Sequence, residues 1–233
     1  MAKNAPNNTT PPSLRLYGCW RSTSTHRVIL ALHFYGLTFE YSPVDLTARE
    51  QETPAFRAIS PDAQVPVLIA DGTTLTQSFG MILYLDALYG DGLPPLIPLS
   101  PTERALAIGY CERVSSFVQP LTLPGAVRRA LKAHLGAQDD AFDDRLAGFI
   151  SATLGDNLQL LDRAIARHGG PFVLGEAPTI ADLFVYPQLL GAARLKIDLE
   201  AFPNLSAQAR AMAGLDFVKA ADPLALPDAP AAA

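Results

Sequence analysis

The sequence predicts an α/β domain followed by an all-α domain, and three observations predict it. Strand and helix patterns alternate from Leu14 to Tyr89, in the order β-α-β, loop, β-β-α. The stretch GDGLPPLIPLS, Gly90 to Ser100, can continue neither helix nor strand. Beyond it, apolar residues recur only at helical spacing. These observations divide the chain into an extension over residues 1–13, an α/β domain over 14–90, a linker over 91–100, a helical domain over 101–220 and a loose tail over 221–233.

Each element has a local reason. Leu14 to Gly18 reads as a short strand, Cys19 to Thr25 as a polar loop, and the apolar run after it as a helix ending at Gly36. Thr38 to Val44 alternates bulky and small residues like a strand, and Val65 to Ala70 is a β-branched run too short for a helix. Asp71-Gly72 is a hairpin signal joining that run to Thr73–Thr76, and a helix follows over Ser78–Tyr89. Ser100-Pro101-Thr102-Glu103 is a helix start with an N-cap, a proline at the first position and a capping-box acid. Helical spacing continues over Ala105–Val118 and Phe142–Ile165. Thr179 and Asp182 form a second capping box, ahead of a run from Leu183 to Leu190 that is apolar almost all round, as in a buried helix.

Composition narrows the function. With 49% hydrophobic and 18% charged residues the chain can build a core without disulfides or metals. A net charge of −5 supplies no basic field for nucleic acid. No apolar run is long enough for a membrane helix, and the Asn/Thr/Pro-rich start does not read as a signal peptide. Cys19 and Cys111 lie far apart, in no CxxC or metal-ligand spacing, and read as two free packing thiols of a reducing, cytoplasmic compartment, with a single disulfide as the alternative.

Three features have both a structural and a functional reading. The loop Arg21-Ser22-Thr23-Ser24-Thr25 puts up to four hydroxyls at a helix start, where they can cap amides or meet a ligand. In Gln64-Val65-Pro66-Val67 the proline opens a strand; if the bond before Pro66 is cis, the Val65 backbone turns outward and can pair with a bound peptide. Gln77-Ser78 opens a helix, with Ser78 expected as N-cap, and the same amides can hold a carboxylate.

In this order, with the linker and the Thr179 box, these features resemble the glutathione transferase superfamily across Leu14 to Pro227, and within it the zeta class of maleylacetoacetate and maleylpyruvate isomerases. The zeta stretch R-S-S-C-x-W-R-V-R-I-A-L is matched by Arg21 to Leu32, with Thr23 for the second serine, Ser24 for the cysteine and His26 for the tryptophan. Further matches are QVPVL at Gln64–Leu68, QS at Gln77-Ser78, QPL at Gln119–Leu121, and the block from Pro187-Gln188 through Arg194 to Pro203.

The resemblance implies a thioredoxin-like first domain, an all-helical second domain, glutathione as cofactor and a homodimer acting on a small electrophile. It implies that Ser22 donates to the glutathione thiolate, assisted by Ser24, with Thr23, Gln64 and Pro66 in the same site. Val65 would pair with the cysteinyl backbone, Gln77 and Ser78 with the γ-glutamyl end, and Gln51 with the glycyl end. Arg21, Gln119 and Arg194 would meet the second substrate, the arginine as a two-pronged cation for a dicarboxylate. Isomerisation of a maleyl compound, conjugation and dehalogenation share this first step. A binding protein without turnover and a thiol-disulfide oxidoreductase are the competing classes, the latter opposed by the missing CxxC.

Overall fold

The computed structural model describes residues 13–122, 129–131 and 140–230; the expected extension before Ser13 and most of the stretch after Leu121 lie outside them. The chain forms two compact units. One holds the described residues up to Leu96 together with those from Leu215 onward, and the other holds Ile97–Gly214.

The first unit contains β1 (Leu14–Gly18), α1 (Thr23–Phe34), β2 (Glu40–Pro43), α2 (Pro54–Arg57), β3 (Val67–Ala70), β4 (Thr73–Thr76) and α3 (Ser78–Tyr89). The sheet order is β2-β1-β3-β4, with β1 parallel to β2 and antiparallel to β3, and β3 antiparallel to β4. This is the mixed four-stranded sheet of a thioredoxin-like domain. Asp71 and Gly72 both take positive φ, 46° and 83°, as a two-residue hairpin with primed turn geometry demands. Leu16, Val28, Ile29, Leu30, Leu68, Met81 and Leu85 are all buried, and α1 packs against α3. A second cluster joins Val44, Phe56 and Val67, with Tyr17, Leu46, Ile59 and Val65 packed against it.

The loop expected between β2 and β3 contains α2. Thr53 caps it, accepting from the Phe56 amide at 3.3 Å, and Pro54 takes the first helical position. That turn buries Phe56 and so fixes the loop to the sheet.

The second unit is helical: α4 (Pro101–Arg113) runs into a π-helical turn over Val114–Val118, then α5 (Gln119–Thr122), α6 (Asp140–Ile165), α7 (Ile180–Arg194) and α8 (Pro203–Gly214). Ser100 caps α4, accepting from Glu103 N at 3.5 Å. The π turn has a local cause. Pro120 has no amide to give the helical ladder, and the Gln119 N–H reaches back five residues to Val114 O. Helix α7 is buried nearly all round and packs against α4 and α8. Asp182 holds its start, Oδ2 accepting from Thr179 N at 2.9 Å and from Thr179 Oγ1 at 3.2 Å. Among the described residues no helix is long and apolar enough to cross a membrane.

Residues 215–220, expected in the helical domain, form a short helix α9 (Asp216–Ala220) that belongs with the first unit. Ala221 and Pro223 are buried, and Asp228 is hydrogen-bonded to the first unit at two places.

Candidate active site

The sheet topology gathers the three sequence features of the first unit at one end. Strand β1 runs towards that end, β3 starts from it with Val67 opposite Tyr17, and β4 finishes at it with Thr76 opposite Val67. The turn after β1, the Val65-Pro66 bond before β3 and the Gln77-Ser78 junction after β4 therefore sit side by side.

The turn Cys19–Ser22 is closed by Ser22 N–H donating to Cys19 O at 2.9 Å. Ser22 then caps α1: its backbone is extended (φ −76°, ψ 114°) and its Oγ accepts from Thr25 N at 3.1 Å. A hydroxyl has one donor and two acceptor positions, so this bond leaves the proton available. Thr23 and Ser24 stand in the first turn of α1, half-buried, while Thr25 is fully buried and its Oγ1 accepts from Cys19 N at 3.4 Å. Of the four hydroxyls expected in the loop, Thr25's is thus turned into the protein. Arg21 is exposed and donates from Nη2 to Thr47 Oγ1 at 2.7 Å, which ties the turn to the next loop. In that loop Asp45 Oδ1 accepts from the amides of Thr47 and Ala48; these bonds hold the carboxyl below the usual range, and Arg21 adds to the effect.

The Val65-Pro66 peptide is cis. Ser60, fully buried, donates from Oγ to Gln64 O at 3.1 Å and so fixes the approach to that bond. Gln64 is exposed, Pro66 is buried, and Val65 lies half-buried ahead of the first ladder residue of β3. Among the described residues, no backbone hydrogen bond engages Val65.

At the third feature the structure corrects the expected cap. Gln77, not Ser78, is the cap residue of α3; it holds a positive φ of 65° and makes no side-chain capping bond. The chain leaves β4 and enters α3 at that residue, so Ser78 becomes the first helical residue. Its hydroxyl turns inward and accepts from Nη1 of the buried Arg27 at 3.4 Å. Left-handed backbone at a non-glycine residue is costly, and such positions cluster at binding sites. Here the Gln77 side chain gives the start of α3 no cap, and the buried Arg27 guanidinium lies behind Ser78, an arrangement that favours a carboxylate.

Gln51 lies in the 3₁₀ turn Glu50–Glu52 of the same unit; its Oε1 is buried and accepts no hydrogen bond among the described residues. Gln119, half-buried after the π turn, and Arg194, exposed at the last position of α7, belong to the other unit. Cys19 and Cys111 are both buried and form no disulfide. The sequence reading missed Tyr41 and Asp228. Tyr41 Oη donates to Asp228 Oδ1 at 3.2 Å, and burial together with that carboxylate pushes its phenol well above the ordinary range, so it stays a donor. A lone aspartate in a Pro/Ala-rich stretch carries no periodic or capping signal by which it could be found.

The chain is similar to known proteins of one family. The model of the glutathione S-transferase N-terminal domain matches residues 21–88, and that of the C-terminal domain residues 127–220. A maleylacetoacetate isomerase of Rhizobium meliloti is 36% identical over 89% of this chain and 95% of its own length. A zeta-class glutathione S-transferase of Euphorbia esula is 31% identical over 83% of each chain. A crystal structure of maleylacetoacetate isomerase from Anaeromyxobacter dehalogenans, with glutathione bound, superposes with a TM-score of 0.81 at 36% identity, covering 94% of this chain and 99% of that one. By its fold and these likenesses, the chain belongs to the glutathione S-transferase family, alongside the zeta-class and maleylacetoacetate isomerase members.

Proposed function

We propose that this chain is a glutathione-dependent enzyme of the zeta type, with Ser22 as the donor that holds the tripeptide's sulfur as an anion. The observation that carries the reading is the use of Ser22 Oγ: it accepts from the Thr25 amide, and among the described residues its own proton has no acceptor. The remaining features fit the rest of a tripeptide. Val65 offers a backbone edge for antiparallel pairing that no backbone hydrogen bond engages among the described residues, and the start of α3, to which the Gln77 side chain gives no cap, offers its dipole to the α-carboxylate of the γ-glutamyl end. The orphaned Gln51 Oε1 offers an acceptor for an N–H at the other end.

The magnitudes are sufficient. A thiol of pKa about 8.5 is mostly protonated near neutral pH, and lowering that value by two units takes about 2.7 kcal/mol. A hydroxyl donating to an anion contributes roughly 1.5–3 kcal/mol, and the start of α1 adds roughly 0.3–1 kcal/mol. Bound here, glutathione supplies a nucleophilic thiolate for a small electrophile, with cis-trans isomerisation of maleylacetoacetate or maleylpyruvate as the foremost reaction. In this reading Ser22 keeps its proton throughout, Thr23 and Ser24 line the same helix start, and Arg21, Gln119 and Arg194 orient the electrophile. Guanidinium groups suit carboxylates because they present two parallel donors. A cytoplasmic homodimer completes the reading.

Replacing Ser22 by Ala tests it. Loss of one charge-assisted hydrogen bond predicts a fall in kcat/KM of about ten- to a hundredfold or more, with glutathione still bound. Wild-type turnover in that variant rejects the assignment. Assays with a maleyl compound and with an α-halo acid separate isomerase from transferase activity.

A further inference from the structure

Asp228 stands 208 residues beyond Trp20, yet its Oδ2 accepts the Trp20 N–H at 2.9 Å while its Oδ1 accepts the Tyr41 hydroxyl at 3.2 Å. Trp20 is the second residue of the turn that Ser22 N–H closes onto Cys19 O. In such a turn the amide of the second residue points away from the chain and has no partner within the turn itself. Of the donors that fix the turn, Cys19 N is held by Thr25 and Ser22 N by the turn. Trp20 N is held from the far end of the sequence. Tyr41 lies on β2 opposite Leu16, so the carboxylate bridges the sheet and the turn. The tail is itself fixed: Ala229 N–H donates to Leu226 O at 3.0 Å, Pro223 is buried, and Asp222 Oδ1 accepts from Leu224 N at 2.9 Å.

We propose that Asp228 is a positioning residue: through Trp20 it sets the turn, and thereby Ser22 Oγ, at the place where the sulfur is held. The inference rests on the reading of Ser22 given above and adds a part to it that acts from outside the site. A misplacement of a donor by a fraction of an ångström weakens a hydrogen bond to a thiolate without removing the residue that makes it.

The sign of the effect distinguishes positioning from charge. Removing a nearby carboxylate by itself favours the thiolate and lowers the pH at which it forms. Loosening Ser22 does the opposite. Asp228→Ala is expected to raise the pH midpoint of the ultraviolet thiolate band of bound glutathione by about half a unit or more, and to lower kcat roughly three- to tenfold. Asp228→Asn keeps an acceptor for Trp20 N–H while losing the charge, so its midpoint is expected at or slightly below the wild-type value. Trp20 is the chain's single tryptophan, and its quenching by acrylamide reads the turn with no ligand present; it is expected to rise in Asp228→Ala and not in Asp228→Asn. Asp216→Ala removes a fully exposed carboxylate that bridges to Lys219, and both readouts should stay at wild-type values. An unchanged or lowered midpoint in Asp228→Ala, or unchanged quenching, overturns the inference. A wild-type protein that gives no thiolate band with glutathione rejects the Ser22 reading instead, and the quenching then decides by itself whether Asp228 holds the turn.

Discussion

Gly18 ends β1 where the side chain of Thr25 folds back over the strand. A β-carbon built on Gly18 would stand 2.3 Å from Thr25 Cγ2 and 3.1 Å from both Thr25 Oγ1 and Tyr41 Cε2. Thr25 cannot swing aside cheaply, because it is fully buried and its Oγ1 accepts from Cys19 N. Gly18→Ala is therefore expected to destabilise the protein by about 1–3 kcal/mol, as overpacking does, read as a lower urea midpoint with an unchanged slope. An Ala variant as stable as the wild type would mean that the turn relaxes freely. At this scale the sequence was legible wherever a residue signals locally. A serine ahead of an apolar helix, a proline opening a strand and a glutamine-serine pair after a hairpin each announce their position within a few residues. The role of Gly18 is set by a side chain seven positions on, the inward turn of Ser78 by Arg27, and the grip on Trp20 by Asp228; none of these carries a short-range pattern.

Helix α8 begins with Pro203 and depends on another helix for its cap. Asp162, buried on α6, accepts from Asn204 N at 2.8 Å and Leu205 N at 3.0 Å through Oδ1, and from Asn204 Nδ2 at 2.9 Å through Oδ2. One carboxylate thus satisfies two of the amides a helix start leaves open, and its charge complements the dipole there. Asp162→Ala is expected to cost about 2 kcal/mol or more, since it removes the cap and leaves buried donors without an acceptor. Asp162→Asn, which keeps one acceptor, should fall between the two in a thermal or urea titration. A loss under about 0.5 kcal/mol would show that water replaces the carboxylate. Element positions were otherwise close to those read from pattern. Leu14–Gly18, Thr73–Thr76 and Ser78–Tyr89 are as expected, because apolar alternation and turn residues bound them on both sides. Helix α2 was missed although Thr53-Pro54 is a helix start, since a single turn has no period to detect. The π turn was missed because the proline that causes it stands after it.

The course of the chain after α8 was not legible in the sequence. Residues 215–230 return to the unit in which the chain begins. Helicity and a Pro/Ala-rich composition describe that segment correctly and say nothing about what it packs against. Its contacts answer that: Phe217 meets Phe34 edge to face at 5.3 Å between ring centroids, Val218 and Ala221 are buried, and Asp228 reaches Trp20 and Tyr41. The first unit is therefore not a contiguous piece of sequence, and a chain ending at Gly214 would lack the packing of α9 on α1 and the bond from Tyr41 of β2 to Asp228. Such a chain is expected to lose amide protection in Val28–Leu32 and Glu40–Pro43 while Leu183–Leu189 of the second unit keeps it, as measured by hydrogen exchange. Burial of Val218 and Ala221, with Phe217 half-buried against Phe34, gives the reason for the asymmetry, since apolar area removed from water stabilises by about 25 cal/mol per Å² and this helix packs against α1. Equal loss of protection in both units would place the segment's contribution elsewhere. Unchanged protection in α1 would mean that the helix is held by the sheet and α3 without help from the end of the chain.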